Sequence, residues 1–168
     1  TSAVRTARNG AEFLRRAEQV YGDRVALVDE PDQPAAPWPT LTYREVAQRA
    51  RAQAAGLDAL GIAQGARVAM VSHNAARLYT SFFGVSGSGR ILVPVNFRLV
   101  AEEVQYIVEH SGAEVLLIDP ELDEAVIAFA NADFEQCEHA ITAMTGQGAP
   151  RAEHAETWLV LFDLYRAI

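Results

Sequence analysis

The run Arg67-Val68-Ala69-Met70-Val71 predicts a strand with apolar side chains on both of its faces. Similar runs at residues 91–93 and 114–118 predict two more strands, and a stretch with helical spacing precedes each of them. Strands of this kind that alternate with helices are typical of a parallel sheet covered by helices. We therefore predict an α/β fold with a mostly parallel sheet flanked by helices.

One helix is predicted by its own start and stop signals. Leu41-Thr42-Tyr43-Arg44-Glu45 is a capping-box pattern. In such a box the threonine hydroxyl bonds the N3 amide, and the glutamate reaches back to the N-cap amide. The leucine and Val46 occupy the positions of a hydrophobic staple around that cap. The helix is predicted to run to Leu60, where Gly61 ends it.

The remaining elements follow from apolar spacing and from turn residues. Residues 10–21 predict a helix behind Asn9, a candidate N-cap. Residues 30–40 hold four prolines and are predicted to form a loop, as are residues 145–156, which are rich in Gly, Ala and polar side chains. Further helices are predicted at residues 75–86, 101–110 and 121–131, a short buried strand at residues 24–28 and a short strand at residues 140–143.

The last segment of the sequence is strongly apolar. A helix here would carry five apolar side chains on one face, so we predict that it packs on another surface. These are Trp158, Leu161, Phe162, Tyr165 and Ile168. Two alternatives stay open: the helix docks on the core of its own domain, or it is a cut edge whose natural partner lies downstream. Such a face could also pair two copies of the chain artificially.

Composition and charge exclude several classes of protein. Half of the 168 residues are hydrophobic and 21% are charged, which indicates a globular chain. No stretch approaches the roughly 18–20 apolar residues of a membrane helix, and no signal-peptide core is evident, so we expect a cytoplasmic protein. The single cysteine, Cys137, cannot form an intrachain disulfide or a zinc site by itself.

The basic residues exclude lysine-dependent sites. All fourteen are arginine, so the chain has no lysine to serve in a P-loop, in a Schiff base or as a general base. The formal net charge of -8 also argues against a nucleic-acid binder, for which a basic face would be expected.

Few residues are candidates for chemistry. His73, His110, His139 and His154 have no spacing that would place two of them on one helix face. His73 ranks first because it ends a predicted parallel strand, where open α/β sheets build their sites. With Asn74, it is predicted to border a pocket. No metal site is predicted.

Two other patterns have structural explanations. Ser86-Gly87-Ser88-Gly89-Arg90 is glycine-rich like a phosphate loop, but it follows a predicted helix and precedes a strand, so we predict a helix stop. Glu102 and Glu103 lie in the first turn of a predicted helix, where negative charge favours the helix dipole. The residues alone therefore indicate an α/β domain with no complete active site, and no catalytic residue is predicted.

Several segments across residues 13–119 together carry a family resemblance. They are Tyr21-Gly22-Asp23-Arg24-Val25-Ala26-Leu27-Val28, Leu41-Thr42-Tyr43-Arg44-Glu45, Ala55-Gly56-Leu57, Leu60-Gly61-Ile62, Gly65, Arg67-Val68-Ala69, Val93-Pro94-Val95-Asn96-Phe97-Arg98-Leu99 and Glu102-Glu103-Val104-Gln105-Tyr106-Ile107. In this order and spacing, they resemble the N-terminal part of the AMP-forming acyl-CoA synthetases, which belong to the adenylate-forming superfamily.

That resemblance implies a ligase that works in two steps. A carboxylic acid, for example a fatty acid, attacks the α-phosphate of ATP to give an acyl-adenylate and pyrophosphate. The thiol of CoA then displaces AMP and forms a thioester. In such chemistry Mg²⁺ neutralises phosphate charge, and cationic donors stabilise the transition state.

Family members take those donors from a Gly/Ser/Thr-rich phosphate loop with a lysine and from a lysine on a mobile C-terminal lid. This chain has neither. The resemblance therefore implies that residues 1–168 are a truncated first subdomain of the ligase. Alone, it is predicted to be inactive and to bind ATP, Mg²⁺ and CoA without high affinity.

One residue role carries over from the family. Arg98, after Pro94-Val95-Asn96, corresponds to a position that in some related ligases lies near the nucleotide phosphates of CoA. Bidentate bonding to phosphate suits an arginine. Alternatively, Arg98 caps the loop or pairs with Glu102. For the whole protein two further hypotheses stay open: a non-catalytic binding or interaction module with the same fold, and an adenylation domain that loads a carrier protein.

Overall fold

A computed structural model describes residues 10–33, 37–119, 122 and 158–160. Helices and strands alternate through most of this part of the chain. In order they are α1 (Gly10–Tyr21), β1 (Val25–Leu27), β2 (Leu41–Thr42), α2 (Tyr43–Ala59), β3 (Arg67–Ser72), α3 (Ala76–Gly84), a 3-10 turn (Ser86–Ser88), β4 (Ile91–Asn96), α4 (Ala101–Ser111), β5 (Val115–Ile118) and β6 (Trp158–Val160).

The main sheet has the strand order β4-β3-β5-β6. β3 pairs in parallel with β4 on one side, with Val68 opposite Leu92, and in parallel with β5 on the other, with Val68 opposite Val115. The predicted parallel sheet is therefore confirmed. β6 runs antiparallel to β5.

Helices cover both faces of this sheet because successive side chains of β3 point to opposite sides. Ala69 and Val71 pack with Val104 and Val108 of α4 in one apolar cluster. Val68 and Met70 pack on the other face, in a cluster that includes Leu57 of α2. A third cluster joins α1, α2 and α3. The predicted helices at residues 10–21 and 101–110 correspond to α1 and α4.

The predicted capping box starts α2. The Thr42 hydroxyl accepts a hydrogen bond from the Glu45 amide at 3.3 Å, and the Glu45 carboxylate accepts one from the Thr42 amide at 2.7 Å. The bond from the Thr42 backbone is the main cause that lowers the pKa of Glu45. Leu41 and Val46 are buried in the same cluster, as the staple requires. The helix ends at Ala59, and Gly61 follows with a φ of 73°, as predicted.

Three local predictions need correction. The strand predicted at residues 24–28 is not buried: Val25 is 59% exposed, and β1 pairs with β2 outside the main sheet. The strand predicted at residues 91–93 continues to Asn96 through Pro94. β4 is an edge strand of the described sheet, and edge strands tolerate proline because an N–H on the outer side has no strand partner. The helix predicted at residues 75–86 stops at Gly84, and a 3-10 turn follows.

The prediction of a helix near the end of the sequence is wrong for the first residues of that segment. Trp158–Val160 forms β6, whose Leu159 lies opposite Leu117 of β5. A short apolar run is ambiguous between helix and strand, and here the edge of β5 supplies backbone partners. The segment therefore meets the sheet of its own domain.

Several predictions lie outside the described residues. They concern Asn9, Cys137, His139, His154, the elements at residues 121–131 (apart from Leu122) and 140–143, the loop at residues 145–156, and residues 161–168. Within the ranges given above, no helix is long and apolar enough to cross a lipid bilayer.

The capping box generates a stability prediction. We expect Thr42→Ala to lower the free energy of unfolding by about 1 kcal/mol, because the Glu45 amide loses its acceptor at the N-terminus of α2. Urea unfolding followed by circular dichroism measures it. Thr40→Ala, an exposed threonine in the preceding loop, is the matched control and should have almost no effect. Equal losses for the two variants would contradict this role.

Candidate functional site

The carboxyl ends of the three parallel strands meet at one edge of the sheet. β3 leads into His73 and Asn74, β4 leads into Phe97 and Arg98, and β5 leads into Asp119. Open α/β sheets bind ligands at this edge, because the loops that follow the strands diverge there.

A cleft of about 510 Å³ opens at this edge. Its lining residues are Gln33, Ser72, His73, Asn74, Leu78, Pro94, Val95, Asn96, Phe97 and Arg98. The three residues that the sequence analysis selected, His73, Asn74 and Arg98, thus lie in the wall of one cleft. They come from two strand ends that are more than twenty residues apart in the sequence.

His73 is held in the cleft wall by contacts on two sides. Its backbone N–H donates to the Asp119 carboxylate at 2.9 Å. Its ring meets the ring of Phe97 edge-on, with centroids 4.3 Å apart. The side chain is only 8% exposed, and its Nδ1 is buried with no hydrogen-bond partner among the described residues. The imidazole is therefore a buried part of the cleft wall.

Arg98 is the exposed cation of the cleft. Its backbone N–H donates to the Asn96 side chain at 3.0 Å, so Asn96, and not the guanidinium, closes this turn. The guanidinium lies over the Phe97 ring, with its carbon 5.3 Å from the ring centroid. Within the described residues, it forms no ion pair with Glu102.

Asp119, which no sequence pattern singled out above, is fully buried at the end of β5. One carboxylate oxygen accepts bonds from the His73 N–H at 2.9 Å and from the Ser72 hydroxyl at 2.6 Å. The other oxygen lies 3.8 Å from the guanidinium of Arg77, whose side chain is 5% exposed. The strand-end rule that selected His73 after β3 would also have selected Asp119 after β5.

A second carboxylate supports the helix that follows β3. Asp29 accepts bonds from the backbone N–H groups of Ala76, in the first turn of α3, at 2.8 Å and of Trp38 at 2.9 Å. Ala75, at the N-cap, has no side chain that could do so. The guanidinium of Arg77 lies over the Trp38 ring, 5.8 Å from its centroid. These contacts place Arg77 beside Asp119.

The glycine-rich run is a helix stop, as predicted. Ser86–Ser88 forms the 3-10 turn after α3, and Gly89 has a φ of 87°. Arg90 is buried, and its guanidinium donates to the Asp58 carboxylate at 2.7 Å and to the Ile62 carbonyl. This arginine therefore ties α2 to β4 and is not available to a phosphate group.

The other selected residues also have structural roles. The Glu103 carboxylate accepts a bond from the Val100 N–H at 3.2 Å at the start of α4. The exposed ring of His110 stacks on Tyr106. In the part of the chain that the structure describes, no group of three or more His, Cys, Asp or Glu side chains is arranged to hold a metal ion.

A sequence model of the family described as AMP-binding enzyme matches residues 13–161, which is most of the chain. The chain belongs to the AMP-binding enzyme family. Its fold agrees, because the solved N-terminal domain of FACL13 from Mycobacterium tuberculosis matches it with a TM-score of 0.66 at 32% identity. That match covers 75% of this chain and 31% of the solved one.

Relatives in the AMP-binding enzyme family include ligases with two different acceptors. A long-chain-fatty-acid–CoA ligase from Thermus thermophilus is 46% identical over 81 residues, which are 48% of this chain and 15% of that protein. A fatty acid–[acyl-carrier-protein] ligase, ScoC, from Streptomyces coeruleorubidus is 39% identical over 87 residues, 52% of this chain and 17% of that protein. The chain therefore spans less than a fifth of the length of these two relatives.

The buried ion pair generates a second stability prediction. We expect Arg77→Met to lower the free energy of unfolding by about 3–5 kcal/mol, because the Asp119 carboxylate loses its countercharge. Arg51→Met is the matched control, since the exposed Arg51 pairs with Glu18 at the surface and its loss should cost less than about 1 kcal/mol. Urea unfolding compares the two variants, and similar losses would show that the buried pair is not needed.

Proposed function

We propose that this chain is the N-terminal part of an AMP-forming acid–thiol ligase. That enzyme activates a carboxylic acid, such as a fatty acid, as its acyl-adenylate and passes the acyl group to the thiol of CoA. Membership of the AMP-binding enzyme family supports the adenylation step. We assign this chain a role within the ligase on one observation: the exposed Arg98 guanidinium lines the cleft and forms no ion pair with any described residue.

Each step of the reaction exchanges one bond for another. In the first step, a carboxylate oxygen of the acid bonds to the α-phosphorus of ATP, and the bond to pyrophosphate breaks. In the second step, the thiol sulfur bonds to the acyl carbon, its proton is lost, and AMP leaves. Both leaving groups are anionic, so both steps need cations close to the phosphates.

The cations for the first step lie outside this chain. It has no lysine to contact the phosphates of ATP. The described residues do not fit a Mg²⁺ site either, since they lack a cluster of three potential ligands, and we assign none of them to this ion. We infer that the remainder of the ligase, which this chain does not contain, supplies the phosphate loop and the lid.

The second step is where this chain contributes. CoA carries phosphate groups at the end opposite its thiol, so an exposed guanidinium can bind it without touching the reacting atoms. Arg98 has no competing carboxylate among the described residues, and Phe97 supports its guanidinium from below. His73 and Asn74 line the same cleft. We assign them to the edge of the thiol substrate's pocket.

A carrier protein is the second candidate acceptor. The observation that favours it is the 39% identity to the fatty acid–[acyl-carrier-protein] ligase ScoC. A carrier protein presents the same phosphopantetheine arm as CoA, but without the nucleotide phosphates. A complete ligase that loads a carrier protein would therefore not need a cation at the position of Arg98.

The isolated 168-residue chain is predicted to form no acyl-adenylate. ATP–pyrophosphate exchange measures this directly with a series of carboxylic acids. The positive control is the complete protein, obtained by reading the gene past the codon for Ile168. In the complete protein, we expect a Gly/Ser/Thr-rich stretch with a lysine after Ile168. ATP–pyrophosphate exchange catalysed by the isolated chain would contradict the proposal that adenylation needs the rest of the ligase.

In the complete ligase, we expect Arg98→Gln to raise the KM for CoA about tenfold, because charge-assisted bonds to phosphate are lost. The kcat and the KM for ATP should stay unchanged. Arg24→Gln is a matched control, because the exposed Arg24 lies over the Tyr21 ring at 5.1 Å, much as Arg98 lies over Phe97. An unchanged KM for CoA, together with efficient transfer to a phosphopantetheinylated carrier protein, would favour the second acceptor.

A further inference from the structure

We infer that Asp119 is a positioning residue for Arg98. Its carboxylate fixes the end of β3, and the rings of His73 and Phe97 transmit that placement to the guanidinium. The inference rests on the proposed function, in which Arg98 binds the phosphates of the thiol substrate. Asp119 itself is fully buried, so it acts through its neighbours and does not touch the substrate.

The first contact joins two strand ends. β3 ends at Ser72, so the N–H of His73 has no partner in the strand ladder. The Asp119 carboxylate at the end of β5 accepts that N–H at 2.9 Å and the Ser72 hydroxyl at 2.6 Å. A charged acceptor makes these bonds strong, and burial shields them from water. The backbone at His73 is thereby anchored to the neighbouring strand.

The second contact crosses to the third strand end. The His73 ring stands edge-on to the Phe97 ring at a centroid distance of 4.3 Å and an interplanar angle of 82°. The edge-on orientation is a favoured one for aromatic pairs. Phe97 is partly buried against the α4 side of the sheet, so its ring is held by both the core and His73.

The last contact reaches the cation. The Arg98 guanidinium lies over the Phe97 ring at 5.3 Å, within the range of a cation–π interaction. A ring in a fixed position restricts the guanidinium to one position. This lowers the conformational entropy that Arg98 loses when it binds a phosphate. Without the anchor at Asp119, the ring of His73 loses its fixed position, and the support of Phe97 weakens with it.

The charge of Asp119 is balanced by a buried arginine. Arg77 lies 3.8 Å from its other oxygen. The carboxylate thus accepts the Ser72 hydroxyl and the His73 N–H at one oxygen and has a buried cation near the other. Contacts at both oxygens hold the carboxylate in one orientation.

The test is a double-mutant cycle in the complete ligase, with the KM for CoA as the readout. We expect Asp119→Asn to raise this KM about fivefold and to leave kcat and the KM for ATP within about twofold. In the double variant with Arg98→Gln, the KM should be no higher than in Arg98→Gln alone, because Asp119 acts only through that guanidinium.

Two controls separate positioning from a general loss of structure. Asp58→Asn removes a carboxylate that also pairs with a buried arginine, but at a distance from the cleft, and it should leave the KM for CoA unchanged. If Asp119→Asn does not fold, His73→Leu removes the ring that joins the Asp119 anchor to Phe97, and it leaves the buried ion pair and the Phe97 ring in place. It should give the same rise in the KM and the same lack of additivity.

The outcomes distinguish this inference from the proposed function. If Arg98→Gln raises the KM and the effect of Asp119→Asn multiplies with it, the positioning role is wrong and the assignment of Arg98 stands. An equal rise in the KM for ATP would likewise show a merely structural role. If Arg98→Gln alone has no effect, the assignment of Arg98 fails and the positioning role fails with it.

Discussion

The burial of β3 on both faces and both edges is the constraint on which the rest of the structure depends. Its side chains alternate between two apolar clusters, so it cannot shift by one residue without exposing both of them. Parallel pairing with β4 and β5 then places all three carboxyl ends at one edge. The position of the cleft is therefore a consequence of how the core is packed.

Two carboxylates hold the chain segments at that edge of the sheet in fixed positions. Asp29 stabilises the start of α3 and the loop at Trp38, and Asp119 joins the ends of β3 and β5. Each satisfies backbone N–H groups that regular secondary structure leaves without partners. Chain segments that are distant in the sequence are thereby held close enough to form one wall, and Arg98 remains as the exposed cation beside it.

Under the proposed function, a chain without lysine contributes phosphate recognition by arginine and leaves the lysine-dependent step to the rest of the ligase. Arginine can bind phosphate at a fixed point, and it does so without taking part in proton transfer. That property suits the recognition of the distant end of a thiol substrate. The resemblance to acyl-CoA synthetases implies a lysine on a mobile lid for adenylation, so the proposal places the two steps in different parts of the protein.

The sequence by itself determined the local elements and their order. The box at Thr42 and Glu45 needs only contacts within one turn, and the apolar runs at β3 and β5 need only a pattern. The strand at β6, the extension of β4 through Pro94 and the role of Asp119 were decided by the tertiary structure. Each depends on which strand lies alongside, and strand neighbours are set by packing between residues far apart in the chain.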